Sequence, residues 1–476
     1  MTSTVETPES TPPPAPAPTA GARTAWGGLL LRIHFYAGIL VAPFLVVAAL
    51  TGLAYTVSPQ LDRIVHGEQL TVDKVGVDAR PLAQQIAAAR AAHPGGTLAS
   101  VTPGAGDATT RVVFDVADLG DRQHTVYVDP YTADVRGTLT TWFGSTPVTT
   151  WLDDLHRNLH LGAVGRYYSE FAASWLWVIV LGGIVLWWRR QRSGAGRLRR
   201  LFGPDLAARR GVRRTRGWHA STGLWLAVGL LFLSATGLTW SRHAGESFDA
   251  GLDALNARTP EVSTALPGVA APADGAGHHG GHSGQATAID PAATDRVLAI
   301  ARGAGLDGPV EITPAADVHS AWTVTQVDNT WPVRKDRVAV DPAAGTVTAR
   351  SDFASWPLLA QLSGLGIQAH MGVLFGPINQ ILLAALALGL LCVIVWGYRM
   401  WWQRRPTRAD RRALVGTAPE RGAWRLVPGW GLVLGVPVVV AVAWALPVFG
   451  VTLLAFLALD LAAGAWRKRQ ARAMAG

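Results

Sequence analysis

Residues 32–55 read RIHFYAGILVAPFLVVAALTGLAY, a nearly continuous apolar stretch with a histidine near its start and a Thr-Gly pair near its end. The same arrangement returns at 216–240, where RGWHASTG is followed by SATGLTW. His34 and His219 each precede the threonine of their Thr-Gly pair by 17 residues. Because about 20 apolar residues cross a bilayer, each stretch predicts a membrane helix that carries a histidine.

Two further apolar segments repeat one another without a gap. His156 precedes Gly162 by six residues and a Trp-Trp pair by 31 and 32, and His370 precedes Gly376 and a second Trp-Trp pair by the same distances. The sequence therefore predicts a unit of helix, polar domain and helix that is used twice. One histidine stands at an equivalent place in each of the helical segments.

The composition indicates a membrane protein and excludes a purely soluble enzyme. The chain has 476 residues, of which 49% are hydrophobic and 16% charged, whereas soluble domains carry about a quarter charged residues. The single cysteine excludes an intramolecular disulfide and a cysteine-based zinc or iron–sulfur site. No dinucleotide-binding or P-loop pattern opens a βαβ unit, so electrons for any redox reaction must come from a quinol or a separate cytoplasmic reductase.

The chain has a net charge of +9, and the positions of its charged residues predict its orientation in the membrane. Residues 189–216 hold eleven arginines and one acid, whereas 58–155 carry twelve acids against seven bases, and 241–365 fourteen against eight. Short Lys/Arg-rich loops stay in the cytoplasm. The pattern predicts cytoplasmic termini, two extracytoplasmic domains and no nucleic-acid partner.

These patterns predict the organisation of the whole chain. In order, we expect a disordered N-terminus (1–22), helix 1 (24–57), a first outer domain (58–150), an outer segment with helix 2 (151–190), a basic loop (191–216), helix 3 (217–240), a second outer domain (241–365) with a His/Gly/Pro-rich linker (260–287), an outer segment with helix 4 (366–402), a basic loop (403–426), helices 5 and 6 (427–466) and a tail (467–476). The outer domains are expected to be small and α+β. Each contains a hairpin signature, VYVDPYTADVRG at 126–137 and VAVDPAAGTVTAR at 338–350.

The four repeated histidines favour two haem sites. Ionisable groups in membrane helices are costly and usually functional. His34 and His219 lie near the cytoplasmic edge, and His156 and His370 lie on the outer side. Two neutral imidazoles facing each other in a helix bundle are axial ligands of b-type haem. For a single histidine at a helix end, the alternative is a hydrogen bond at the interface.

Small and basic neighbours extend this prediction. Gly38 and Gly223 follow their histidines by four residues and would let a flat macrocycle approach the backbone, although small-residue helix packing also explains them. Arg32 and Arg216 are candidate partners of haem propionates, although the positive-inside bias alone accounts for them. The two Thr-Gly pairs either line a cofactor edge or kink the helix.

Other histidines are weaker candidates. His160 and His243 are alternative or accessory ligands of the outer site. His278, His279 and His282 in GHHGGHSG would bind a metal loosely, and low-complexity composition explains them equally simply.

Two expectations concern geometry. From His156 to Arg189 is 33 residues, about 50 Å on a straight helix, so we expect the glycines after His156 and His370 to break these segments. The short outer helices would then fold back over the bundle mouth. Asp460, in the last helix, is expected to stand alone at the membrane interface.

The motifs resemble the PepSY-associated transmembrane helix family, which includes ferric-siderophore reductases. The matching stretches are RIHFYAG with TGL, LHRNLHLGAVGR leading into ASWLWVIVLGGIVLWW, WHASTGLW with TGL, and AHMGVLFG leading into YRMWWQRR, over about residues 24–405. The twin VDP hairpins resemble its PepSY domains. The resemblance implies a bacterial inner-membrane protein with two haems b that passes electrons outward to ferric siderophores. It places the ligands at His34, His156, His219 and His370.

The resulting fold prediction is a polytopic α-helical membrane protein. A four-helix haem-binding bundle arises from a duplicated helix–PepSY-like domain–helix unit, and a C-terminal helical hairpin is added. Two alternative functions remain: electron transfer to an exported protein or copper, and a non-enzymatic membrane anchor whose PepSY-like domains bind or inhibit a peptidase.

Overall fold

The computed structural model describes residues 20–191, 197–204, 210–266, 291–404, 419 and 427–473. The longer helices in this part of the chain are α1 (Ala20–Leu40), α2 (Ala42–Tyr55), α5 (Leu82–Ala92), α6 (Pro147–Asn158), α7 (Gly162–Arg190), α9 (Val212–Thr239), α10 (His243–Ala254), α11 (Pro291–Gly303), α12 (Leu358–His370), α13 (Pro377–Gln403), α14 (Gly429–Ala445) and α15 (Pro447–Ala473). Three short helices are α3 (Ser58–Val65), α4 (Gly67–Leu70) and α8 (Arg197–Phe202).

Among the described residues, four helices are long and apolar enough to span a membrane: α7, α9, α13 and the part of α15 up to Trp466. The pair α1 and α2 makes a fifth span if the two count as one, although they are bent by 55°. Helix α14 is apolar but has only 17 residues, so five of the six expected spans meet the length criterion. These apolar helices indicate a lipid bilayer environment and a multi-pass membrane protein.

The break between α1 and α2 has a local cause. Pro43 has no N–H to donate to the carbonyl of Ile39, four residues earlier, and its ring crowds that carbonyl. The hydroxyl of Tyr398 donates to the Ile39 oxygen at 3.0 Å and so satisfies it. A carbonyl released inside a membrane helix is thereby hydrogen-bonded within the protein.

The predicted breaks after His156 and His370 are confirmed. Leu159 and His160 have φ of 55° and 56°, and α7 begins at Gly162. After α12, Gly372 and Gly376 have φ of 82° and 56° before α13 begins. Both outer helices are therefore separate from the membrane helices that follow them.

The turn after α6 predicts a strong response to Gly165→Ala. A Cβ at Gly165 would lie 1.7 Å from the carbonyl oxygen of Asn158, so α6 and α7 must separate to admit it. Overpacking of this kind costs about 1–3 kcal/mol. We expect a lower thermal midpoint in detergent. Gly303→Ala, whose Cβ meets nothing within 4 Å, is the matched control, and equal midpoints for the two variants would contradict this packing.

The two polar segments form one sheet instead of two separate domains. The strands in the described chain are β1 (Thr97–Thr102), β2 (Thr110–Asp115), β3 (Gln123–Val128), β4 (Val135–Thr141), β5 (Val310–Thr313), β6 (Trp322–Gln326), β7 (Arg337–Asp341) and β8 (Thr346–Ser351). Their order is β4-β3-β2-β1-β5-β6-β7-β8, and every pairing is antiparallel. Val101 of β1 pairs with Ile312 of β5 and joins the halves. The sequence predicted the two hairpins but carried no signal for this central pairing.

One hydrophobic core serves both halves of the sheet. It joins residues of α5 and α11 to the strands, including the fully buried Ile86, Val126, Val297 and Val324. The carboxylate of Asp295 on α11 accepts hydrogen bonds from the N–H groups of Leu82 and Ala83 at the start of α5. The two helices are thereby tied together on one face of the sheet.

Both predicted Asp-Pro hairpins are present. Oδ1 of Asp129 accepts from the N–H of Tyr131 at 2.8 Å, between β3 and β4. Oδ1 of Asp341 accepts from the N–H of Ala343 at 2.8 Å, between β7 and β8. An aspartate that binds the backbone two residues on stabilises such a turn.

Some predicted segments have different bounds in the structure, and others lie outside the described residues. Helix α8 lies inside the predicted basic loop 191–216, and α15 continues through most of the predicted tail. The predicted N-terminus up to residue 19, most of the 403–426 loop and the linker from 267 lie outside the described residues.

The chain divides into two compact units. The first consists of Met1–Ala42, Val178–Trp225 and Val393–Gly476. The second consists of Pro43–Trp177 and Leu226–Cys392, and it contains the sheet. The predicted histidines fall into these units as pairs: His34 and His219 in the first, and His156 and His370 in the second.

Candidate functional site

In the first unit, His34 of α1 and His219 of α9 face one another. Their ring centroids are 6.4 Å apart, and the ring planes are nearly perpendicular at 84°. Both side chains are half-buried. The structure therefore brings together the two histidines that the sequence paired.

Backbone carbonyls fix the orientation of both rings. Nδ1 of His34 lies 3.0 Å from the carbonyl oxygen of Ile179 on α7, and Nδ1 of His219 lies 2.8 Å from that of Val393 on α13. A carbonyl oxygen only accepts, so each Nδ1 carries the proton and donates. Each Nε2 is then left with its lone pair, which is the form of imidazole that binds a metal ion.

A glycine lies against each of these rings. A Cβ at Gly183 would lie 3.1 Å from Cε1 of His34, and one at Gly397 would lie 3.5 Å from Cε1 of His219. In contrast, a Cβ at Gly38 or Gly223 would meet nothing within 4 Å. Open space therefore lies beside the backbone one helical turn from each histidine, as expected if a flat group approaches there.

In the second unit, the outer helices carry the other two histidines, and threonine hydroxyls hold them. Nδ1 of His156 lies 2.9 Å from Oγ1 of Thr51, and Nδ1 of His370 lies 2.6 Å from Oγ1 of Thr236. Each hydroxyl donates its own proton to a helix carbonyl at 2.8 Å, that of Val47 or Phe232. Nδ1 must therefore donate, and Nε2 again keeps its lone pair.

Both Thr-Gly pairs lie against the outer histidines. A Cβ at Gly52 would lie 3.1 Å from Cε1 of His156, a tight contact, and one at Gly237 would lie 3.8 Å from Cε1 of His370, an ordinary contact. In each pair the threonine binds the imidazole, and Gly52 also gives its ring space.

His156 and His370 line one cavity in the second unit. The space free of protein atoms in this cavity is about 1360 Å³, and this value includes the open mouth of the cavity. Leucine and alanine residues of α2, α7, α9 and α13 make up nearly half of the residues that line it. A mainly apolar ligand fits such a lining.

Charged groups line the same cavity. They are Asp153, Arg157 and Arg166. Arg157 pairs with the carboxylates of Asp153 at 3.4 Å and Asp154 at 2.9 Å, and Arg166 donates to the carbonyl of Trp240 at 2.6 Å. The cavity therefore joins an apolar wall to groups that can bind an anion.

Burial keeps the outer imidazoles neutral. It lowers the pKa of His156 to about 4, against the opposing effect of a backbone contact with Ala48. It also lowers the pKa of His370 to about 4, and the nearby His156 lowers it further. Both rings are therefore uncharged at neutral pH.

The arginines expected near the inner pair have other neighbours. Arg32 is buried and forms an ion pair with Asp460 of α15, donates to the carbonyl of Pro419 at 2.6 Å, and lies over the ring of Tyr36. The expectation that Asp460 stands alone is wrong, because a buried arginine requires a partner within the protein. Arg32 is engaged by this pair, which leaves Arg216 as the stronger candidate for an anionic group.

Arg216 belongs to a basic cluster at the ends of three helices. It is half-buried, and Arg190, Arg213 and Arg404 lie close enough to repel it electrostatically. Such a concentration of positive charge attracts anions.

The accessory histidines do not lie at either pair. His160 was expected to share the face of His156, but α6 ends at Asn158 and the left-handed turn leaves His160 exposed against the ring of Trp151. His243, at the start of α10, contacts Tyr167, and its backbone N–H donates to the buried Glu170. His278, His279 and His282 lie outside the described residues.

Sequence reasoning missed Gly183, Gly397, Arg157 and Arg166. The repeat did contain a signal for the glycines, because they are separated by the same 214 residues as His156 and His370. No sequence spacing indicated the arginines, which reach the cavity only because the chain turns back after α6.

The sequence model of a family described as "PepSY-associated TM region" matches residues 31–404. A comparison with curated proteins finds no match. Among the described residues, no group of three or more His, Cys, Asp or Glu side chains is placed to hold a metal ion.

Proposed function

The chain belongs to the PepSY-associated transmembrane family, and we propose that it is a dihaem b-type reductase of the bacterial plasma membrane. It would take electrons from the cytoplasmic side or the quinol pool and deliver them to an extracytoplasmic ferric siderophore, thereby aiding iron uptake. In this topology both termini are cytoplasmic, and the sheet domain is extracytoplasmic. The charge distribution along the sequence supports that orientation.

The geometry of His34 and His219 carries the proposal. Two imidazoles that bind one metal ion from opposite sides have ring centroids about 6 Å apart, since each metal–nitrogen bond is about 2 Å long. The observed separation of 6.4 Å fits this arrangement. The proton on each Nδ1 directs the lone pair of Nε2 to the metal, and a hydrogen-bonded Nδ1 is the usual companion of a ligating histidine.

The second pair supports a second site of the same kind. His156 and His370 have the same protonation pattern and line a cavity with an apolar wall. Arg166 would bind a propionate of a haem in that cavity, and Arg216 one of a haem at the first pair. Gly38 and Gly223 would leave the macrocycle room beside α1 and α9.

A bound haem iron supplies one-electron redox chemistry by changing between the ferric and ferrous states. His34 and His219 would hold one haem and His156 and His370 the other, and the hydrogen bonds at each Nδ1 leave the lone pair of Nε2 available. The proposed reaction adds one electron to the Fe(III) of the chelate and yields Fe(II). Oxygen donors prefer the harder Fe(III), so reduction weakens the chelate and releases iron.

Anaerobic mixing tests the acceptor. The purified, chemically reduced protein is mixed with a ferric hydroxamate or a ferric catecholate, and the absorbance of the reduced haem is followed. We expect rapid reoxidation with one Fe(II) formed for each electron lost, and we expect it to be slowed by at least about tenfold in His156→Ala, which disrupts the outer site. A protein that stays reduced with ferric chelates but reoxidises with Cu(II) would favour copper as the acceptor.

A further inference from the structure

The two histidine pairs differ in the atom that accepts their Nδ1 proton. The inner pair donates to the backbone carbonyls of Ile179 and Val393. The outer pair donates to the hydroxyls of Thr51 and Thr236. His156 has in addition a backbone contact with Ala48, and in all four imidazoles Nε2 keeps its lone pair.

This difference affects how strongly each imidazole donates electrons to a metal. A peptide carbonyl oxygen carries extra negative charge through amide resonance, whereas an alcohol oxygen does not. A stronger acceptor draws the Nδ1 proton away and makes Nε2 a more basic ligand. Basic ligands stabilise the ferric form, so second-shell hydrogen bonding is one of the protein's means of setting a haem potential.

We propose that Thr51 and Thr236 are positioning residues that give the outer site a higher midpoint potential than the inner site. The inference rests on the proposed function, because it concerns bound haem. An electron then lies at lower free energy at the outer pair, which favours transfer from the cytoplasmic to the extracytoplasmic side. The direction is set by this chain's own hydrogen-bond acceptors.

Charged groups affect the potential at both pairs. Arg166 adds positive charge to the outer cavity, which Asp153 also lines, and Arg216 belongs to a basic cluster in the first unit. The threonine contribution can be separated from these charges because replacing a hydroxyl by a methyl group leaves every charge unchanged.

The experiment is a spectroelectrochemical titration of the purified protein and its variants. His34→Ala and His156→Ala, each retaining one site, identify which midpoint belongs to which pair. We expect the outer midpoint to be higher by at least about 59 mV, which is a tenfold preference for one electron. Equal midpoints, or a lower outer midpoint, would overturn the inference while leaving two haems in place. A protein without bound haem would overturn the proposed function as well.

Substitutions at the threonines test the cause. Thr51→Val removes the acceptor and should raise the outer midpoint alone, whereas Thr51→Asn replaces the hydroxyl with an amide carbonyl and should lower it. Thr236→Val provides the same test at the other ligand if the first variant folds poorly.

Thr56→Val is the matched control. Thr56 lines the same cavity, but its hydroxyl donates to the carbonyl of Leu53 and not to a histidine. We expect its midpoints to equal those of the unaltered protein. Identical shifts in Thr51→Val and Thr56→Val would show that the hydrogen bond to His156 is not the cause.

Discussion

His34→Ala is expected to remove about half of the bound haem, because one axial ligand of the inner site is lost while the outer site keeps both of its ligands. Among the repeated histidines, only His34 is paired with His219. His156 and His370 belong to a different compact unit and are held by different residues. The measurement is the ratio of haem to protein after purification, together with the absorbance spectrum.

His160→Ala is the matched control for this experiment. His160 lies on an exposed turn only four residues from a predicted ligand, and its ring packs on Trp151. Its replacement should leave the haem content unchanged. Full haem retention in His34→Ala would refute the inner ligand assignment, and a loss in His160→Ala would show that α6 binds the cofactor differently.

Asp460→Asn is expected to give the largest loss of stability. Arg32 is only 6% exposed, and the carboxylate of Asp460 neutralises its charge. Removing one member of a buried ion pair leaves the other charge uncompensated and costs about 3–5 kcal/mol. We expect a marked fall in the thermal midpoint in detergent, and because His34 is two residues from Arg32 we also expect weaker binding of the inner haem.

A double substitution separates the ion pair from general damage to α15. In Arg32→Gln/Asp460→Asn neither charge remains, so the double variant should be more stable than Asp460→Asn alone. If the two losses simply add, the carboxylate does not compensate Arg32. The contact also gives a role to the C-terminal hairpin, which lies beyond the family match and would hold the helix that carries His34.

The sequence predicted the pairing of the histidines because duplication places them at equal spacings. It also predicted the breaks before α7 and α13, because a straight helix from His156 would be longer than a bilayer is thick. Both predictions rest on relations between residues of the same repeat or the same helix. Such relations can be read from spacing alone.

The remaining features depend on contacts between distant segments. The pairing of Val101 with Ile312 joins two segments more than 200 residues apart, and neither strand differs in pattern from one at a sheet edge. The ion pair of Arg32 with Asp460 was equally hidden, since a charge in an apolar helix does not show which helix faces it. The contacts of Thr51 and Thr236 with the histidines could be recognised only from the positions of the rings.

The most direct test is the absorbance spectrum of the purified protein, oxidised and then reduced, with its haem content. We expect an intense Soret band, a sharp α-band on reduction and about two haems for each chain, one for each histidine pair. A protein purified from haem-replete cells with no Soret band would contradict it. That result would favour the non-enzymatic alternative, a membrane anchor whose sheet domain binds or inhibits an exported peptidase.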